Sequence, residues 1–204
     1  MRRLLALSLL ASLVACSRDA TPAVAQGAQG AQGAQGAQGA QGAQGAQGAP
    51  VVAKPRIVFL GDSLTAGLGL STDKSFPSVI GRKLEDKGLD FEIINAGVSG
   101  DTSAGGLRRL DWSLEGDVRV LIVALGANDG LRGLPITELE KNISAVLDRA
   151  KARGIPVILA GMEAPPNNGV DYTTAFRKVY RDLATRYQVR FVPFLLQGLS
   201  LIHI

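Results

Sequence analysis

From Arg56 onward the chain alternates between short continuous apolar runs and longer stretches with apolar residues every three or four positions. "RIVFL" at Arg56 to Leu60 is a run of strand length that ends on glycine. "FPSVIGRKLEDKG" follows, with Phe76, Val79, Ile80 and Leu84 on one helical face and Gly88 as the stop. "FEIINAG" reads as a second strand, Thr102 to Trp112 as a second helix, and "VRVLIVALG" as the third and most apolar strand, expected to be central and buried on both faces. In "PITELEKNISAVLDRAKARG" Pro135 opens a helix whose stripe is Ile136, Leu139, Ile143, Val146, Leu147 and Ala150, closed by Gly154. "PVILAG" predicts strand four. Thr173 to Tyr187 repeats Phe176, Val179, Tyr180, Leu183 and Tyr187 at helical spacing, and "VRFVPF" predicts strand five.

Five strands alternating with four helices predict an α/β fold, a three-layer sandwich around a five-stranded parallel sheet joined by right-handed crossovers. The expected strand order is flavodoxin-like, 2-1-3-4-5, in which ligands bind beyond the carboxyl ends of the strands near the switch point. The residues at those ends are Gly61, Asp62 and Ser63 after strand one, Gly100 to Thr102 after strand two, and Gly126 to Gly130 after strand three. A hydroxyl, a glycine amide and an asparagine side chain thus come to one edge. Acyl transfer needs such a set: a nucleophile, and preorganised donors for the oxyanion of a tetrahedral intermediate.

The first quarter of the 204-residue chain has a different character. "MRRLLALSLLASLVAC" carries two arginines, an apolar stretch from Leu4 to Val14 and then Cys16, too short a run to span a bilayer and of the form of an export signal. "LVAC" at Leu13 to Cys16 resembles the lipobox of bacterial lipoproteins, which implies that Cys16 is diacylated and becomes the new N-terminus. Ser17 follows it where an aspartate would retain such a protein at the inner membrane, so the expected location is the cell envelope, lipid-anchored at the outer membrane and facing the periplasm. Cys16 is the only cysteine, which leaves none for an internal disulfide. From Gln26 to Ala49 the triplet Gln-Gly-Ala repeats eight times; without proline it lacks the preorganisation of a collagen triple helix and reads as a flexible tether. About 40 such residues have an r.m.s. span of ~35 Å. The expected organisation is therefore a signal with lipobox over residues 1–16, a linker over 17–54, a folded domain over 55–198 and an atypical tail over 199–204.

Charge and motifs exclude several classes. The formal net charge is +4, and removal of Arg2 and Arg3 leaves 20 basic against 18 acidic residues, too even a balance to argue for nucleic acid. "AGLGLST" lacks the third glycine of a dinucleotide fingerprint, no glycine-rich loop ends in Lys-Ser or Lys-Thr, and no GxSxG elbow occurs. One histidine and one cysteine make a zinc site a poor fit, and no cofactor is implied.

Each strand-end motif has an ordinary structural explanation when taken alone. Gly-Asp-Ser after a strand makes a turn into a helix, Asn128 caps or closes a turn, and Gly100 suits a positive φ. Together and in order, "GDSL" at Gly61 to Leu64, "NAGVSGDTS" at Asn95 to Ser103 and "GANDG" at Gly126 to Gly130 resemble the first three blocks of the GDSL or SGNH hydrolase family. "GMEAPPNNG" at Gly161 to Gly169 further resembles the loop of its arylesterase, thioesterase and lysophospholipase subgroup. The resemblance covers about Arg56 to Gly198. It implies that Ser63 is the nucleophile, that the amides of Ser63 and Gly100 and the side chain of Asn128 form the oxyanion hole, and that the substrate is a small acyl ester, thioester or lysophospholipid.

The family's last block is an aspartate, two residues and a histidine in a loop beyond strand five, followed by a final helix. Here the chain reads "FVPFLLQGLSLIHI"; His203 lies nine residues past Phe194, and Ser200 stands where the aspartate belongs. The expectation is an incomplete hydrolase domain that lacks the last catalytic loop and helix, with "LSLIHI" a foreign or frame-shifted end and the partner of Ser63 missing from this chain. Two functions follow: a carboxylic ester hydrolase working through Ser63, or an impaired or non-catalytic envelope binding protein on the same fold.

Overall fold

A computed structural model describes residues 53–199; Cys16, the Gln-Gly-Ala repeat and His203 lie outside the described residues. Five parallel strands, β1 (Arg56–Gly61), β2 (Glu92–Gly97), β3 (Val118–Ala124), β4 (Val157–Ala160) and β5 (Arg190–Val192), form one sheet in the order β2-β1-β3-β4-β5. The flavodoxin-like order expected from the alternation is the order found.

Seven α-helices connect these strands: α1 (Ser63–Ala66), α2 (Phe76–Glu85), α3 (Ser103–Arg108), α4 (Leu110–Ser113), α5 (Ala127–Leu131), α6 (Ile136–Ala152) and α7 (Val170–Tyr187). The single helix expected over Thr102 to Trp112 is broken, because Arg109 at φ −101°, ψ 5° ends α3 and starts α4. The last helix begins at Val170, three residues earlier than the apolar spacing indicated. Two of the three shortest helices, α1 and α5, follow closely on β1 and β3, which no apolar period of three or four residues can announce.

One face of the sheet carries the main core. Val58, Leu60, Leu121, Val123, Val157 and Leu159 are buried there with Leu110 and Leu114, with Leu139, Ile143, Val146 and Leu147 of α6, and with Phe176, Tyr180 and Leu183 of α7. On the opposite face Phe76 of α2 meets Phe59 edge-on at 5.6 Å between ring centroids. Beyond α2 that face is open: Val120, Ile122, Ile158, Val192 and Leu195 share an apolar groove of about 360 Å³ with Ile80 and Leu84. The expectation that β3 is buried on both faces is therefore corrected. Val120 and Ile122 are only half-buried, since α2 covers β1 and β2 and does not reach across the sheet.

Candidate active site

Parallel register sets the site. Gly61 at the end of β1 pairs with Gly97 of β2 on one side and with Ala124 of β3 on the other, so three chain segments leave the sheet side by side. Ser63 lies two residues beyond Gly61, Gly100 three beyond Gly97 and Asn128 four beyond Ala124. All three residues expected to do chemistry thus emerge at one sheet edge, around the switch point between β1 and β3.

Each segment has a local reason for its course. Asp62 caps α1: its Oδ1 accepts from the Leu64 N–H at 3.0 Å, and Gly67 closes the helix at φ 79°. Asp62 is fully buried and its Oδ2 has no partner among the described residues; burial foremost holds its carboxyl above the ordinary value. Gly97 allows α1 to sit directly on the end of β2, because a Cβ there would stand 2.2 Å from the Ala66 nitrogen and 2.7 Å from the Thr65 carbonyl carbon. Asn95 locks this contact. Its Nδ2 donates to the Thr65 carbonyl at 2.9 Å, and its Oδ1 accepts from the Gly97 N–H at 3.0 Å.

Gly100 adopts φ 82°, and its carbonyl accepts from Arg132 at 2.9 Å. Among the described residues neither the Ser63 nor the Gly100 backbone N–H meets an acceptor. The Asn128 side chain is oriented, since its Nδ2 donates one hydrogen to the Asp101 carbonyl at 2.9 Å. The second hydrogen of the same amide remains available.

The third segment is held from below. Gly126 turns into α5 at φ 112°, a position where a Cβ would collide with the Tyr180 hydroxyl at 1.9 Å; that buried hydroxyl donates to the Leu125 carbonyl at 2.9 Å. Burial pushes the Tyr180 phenol well above its usual range, which keeps it a neutral donor. Asp129, next to Asn128, is also buried. Its two oxygens accept from the Ser103 N–H at 2.8 Å and the Ser103 hydroxyl at 2.6 Å, and Asn142 of α6 donates to that hydroxyl at 3.0 Å. The loop after β4 reaches the same segment, where Asn168 donates to the Gly130 carbonyl at 2.7 Å.

Asn95, Ser103, Arg109, Asp129 and Asn142 were not singled out by the sequence pattern as site residues. Asn142 left a signal: it is a polar residue inside the buried stripe of α6, one turn after Leu139. Asn95, Ser103 and Asp129 stand inside the quoted blocks, but only the fold tells which of a block's polar residues face substrate and which face one another. No group of three or more His, Cys, Asp or Glu is placed to hold a metal among the described residues. No helix among them is long and apolar enough to cross a membrane.

The model of the GDSL-like Lipase/Acylhydrolase family matches residues 59–201. Esterase TesA of Pseudomonas aeruginosa is 40% identical over 149 residues, 72% of this chain and 74% of that one. Thioesterase 1/protease 1/lysophospholipase L1 of Escherichia coli is 35% identical over 150 residues, 73% of this chain and 71% of that one. The crystal structure of AlinE4, an SGNH-hydrolase family esterase, superimposes with a TM-score of 0.70 at 41% identity, covering 74% of this chain and 82% of its own. With three matching blocks on a matching fold, and with esterases among its relatives, the chain belongs to the GDSL-like lipase/acylhydrolase family and is an ester hydrolase.

Proposed function

We propose that this hydrolase works through Ser63, with the N–H groups of Ser63 and Gly100 and the Asn128 Nδ2 as its oxyanion hole. The observation that carries this reading is that, among the described residues, the Ser63 and Gly100 backbone N–H groups have no acceptor, while the Asn128 amide at the same sheet edge is pinned by the Asp101 carbonyl. Donors that are aimed before substrate arrives need no reorganisation as charge develops on the carbonyl oxygen. The Ser63 hydroxyl adds to the ester carbonyl, the oxyanion is held by the three donors, and the alcohol departs to leave an acyl-serine that water then cleaves. A serine hydroxyl becomes a strong nucleophile only when a base takes its proton, and Asp62 does not fill that role: it is fully buried and engaged as the α1 cap. The family resemblance assigns the proton to an imidazole. The chain's one histidine, His203, lies outside the described residues.

The substrates this reading favours are small acyl esters, thioesters and lysophospholipids, in line with the relatives' activities by name. The "LVAC" lipobox at Cys16 and the Gln-Gly-Ala tether support a lipid-anchored enzyme of the bacterial envelope, at the outer membrane and facing the periplasm. An organophosphonate is expected to modify Ser63 alone, as read by peptide mass spectrometry. Ser63→Ala should abolish both that modification and hydrolysis of p-nitrophenyl butyrate, and Asn128→Ala should lower kcat by ~10² to 10³ with little change in KM. Hydrolysis that survives Ser63→Ala, or an Asn128→Ala effect confined to KM or to thermal stability, refutes the assignment.

A further inference from the structure

We propose that Arg109 is the positioning residue of the oxyanion hole, tying the segments that carry the Ser63 and Gly100 donors together through one guanidinium and reaching the Asn128 amide through Asp101; the inference rests on the assignment of Ser63, Gly100 and Asn128 above. Arg109 stands at the break between α3 and α4, and its side chain is only 18% exposed. Each of its three nitrogens serves a different acceptor. Nε donates to Asp101 Oδ2 at 2.6 Å, Nη1 to the Ala96 carbonyl at 2.6 Å and Nη2 to the Gly61 carbonyl at 2.7 Å.

Gly61 lies just before the Ser63 donor, and Ala96 and Asp101 bracket the turn that carries the Gly100 donor. The Gly61 carbonyl belongs to the peptide immediately before the one that carries the Ser63 N–H, and it also receives the Val98 N–H at 3.1 Å. The Ala96 carbonyl fixes the exit of β2 into the segment that ends at Gly100. Asp101 follows Gly100 directly: its N–H closes the turn onto the Val98 carbonyl at 3.1 Å, its carboxylate is gripped by Arg109, and its own carbonyl holds the Asn128 amide. Gly105 makes room for this carboxylate, since a Cβ there would stand 2.4 Å from Asp101 Oδ1. Oxyanion donors act only at the right distance and angle, and a misplacement of about 1 Å costs on the order of 10²-fold in rate. A planar fork with nitrogens at three corners meets this arrangement. The single nitrogen of lysine cannot reach all three acceptors at once.

The test compares the full chain with Arg109→Lys, Arg109→Ala and Asp101→Asn. Turnover of p-nitrophenyl butyrate is expected to fall ~10- to 10²-fold in kcat with KM within about threefold in Arg109→Lys, at unchanged circular dichroism. Independently of turnover, amide NMR should show the Ser63 and Gly100 backbone resonances and the Asn128 side-chain NH₂ pair displaced in Arg109→Lys, while Ile143 and Leu183 stay in place. Unmoved donor resonances in a folded Arg109→Lys protein overturn the inference, as does a kcat loss that only tracks the folded fraction. Asp101→Asn keeps the shape and one acceptor, and serves if both Arg109 variants unfold; should it unfold too, Arg109 acts on fold stability alone and the inference fails. Turnover that persists in Ser63→Ala would instead refute the nucleophile, and the NMR comparison would still judge Arg109.

Discussion

Asp129→Asn isolates what the buried carboxylate beneath the site contributes. In the wild type the two carboxylate oxygens accept two hydrogens from one residue, the Ser103 N–H at 2.8 Å and its hydroxyl at 2.6 Å, while Asn142 donates to the Ser103 oxygen. An asparagine side chain offers one oxygen and one NH₂ group. If the oxygen keeps the Ser103 N–H, the NH₂ faces a hydroxyl oxygen that already accepts from Asn142, and the Ser103 hydrogen is left with no acceptor. Hydrogen bonds to a charged group contribute about 1.5–3 kcal/mol, and a stranded buried donor costs about 1–3 kcal/mol. Relief of the buried charge offsets part of this. The expected net loss is about 2–3 kcal/mol, which for a domain of about 150 residues lowers Tm by roughly 5–10 °C. Differential scanning calorimetry with urea unfolding measures it, and a cycle with Ser103→Ala should return a coupling of about 1–2 kcal/mol between the two positions. A Tm within about 2 °C of wild type, or a coupling near zero, would refute the reasoning and leave Asp129 as one more helix residue.

Burial holds the Asp62 carboxyl above its ordinary value of 3.8, so what this group contributes to stability is complete below that value and is lost as pH rises through the folded value. Asp62→Asn stays neutral and can still accept the Leu64 N–H; its Tm relative to wild type should therefore climb as pH is raised from about 4 to 7, and a pH-independent or falling difference contradicts this. Gly97→Ala should lower Tm and esterase turnover together, because the new Cβ meets backbone atoms of Thr65 and Ala66 that cannot rotate away; a normal melt with normal kcat would show that α1 does not depend on that contact. Metabolic labelling with a palmitate analogue should mark the protein at Cys16 and sediment it with membranes, and Cys16→Ser should abolish both; recovery of the wild-type mature protein as an unlabelled soluble species would sink the anchor.

Much of the fold was legible before any coordinates. The apolar runs at Arg56 to Leu60 and in "VRVLIVALG" and "PVILAG" are strand cores because a parallel sheet buries them, and the stripe of α6 follows from its 3.6-residue period. Alternation of the two periods determined the topology, and topology determined which loops meet. That is why the segments holding Ser63, Gly100 and Asn128 could be placed at one sheet edge from three separate stretches of chain, while the resemblance to the hydrolase blocks singled out these three residues within them. The tertiary structure decided what periodicity does not encode. The break at Arg109 goes with its hydrogen bonds to the Gly61 and Ala96 carbonyls, the short helices α1 and α5 are held by hydrogen bonds with distant segments, and the half-open face of β3 depends on how far α2 extends across the sheet. It also sorted the polar residues within each motif. Asp62, Asp129 and Asn95 read as equals of Ser63 and Asn128 in the sequence, yet Asp62 and Asp129 are buried while Asn95 holds α1 to β2. A side chain's role follows from the direction in which it leaves the backbone and from what waits there, and both are set by residues tens of positions away, as when the Arg109 guanidinium reaches the Gly61 carbonyl across 48 residues of chain.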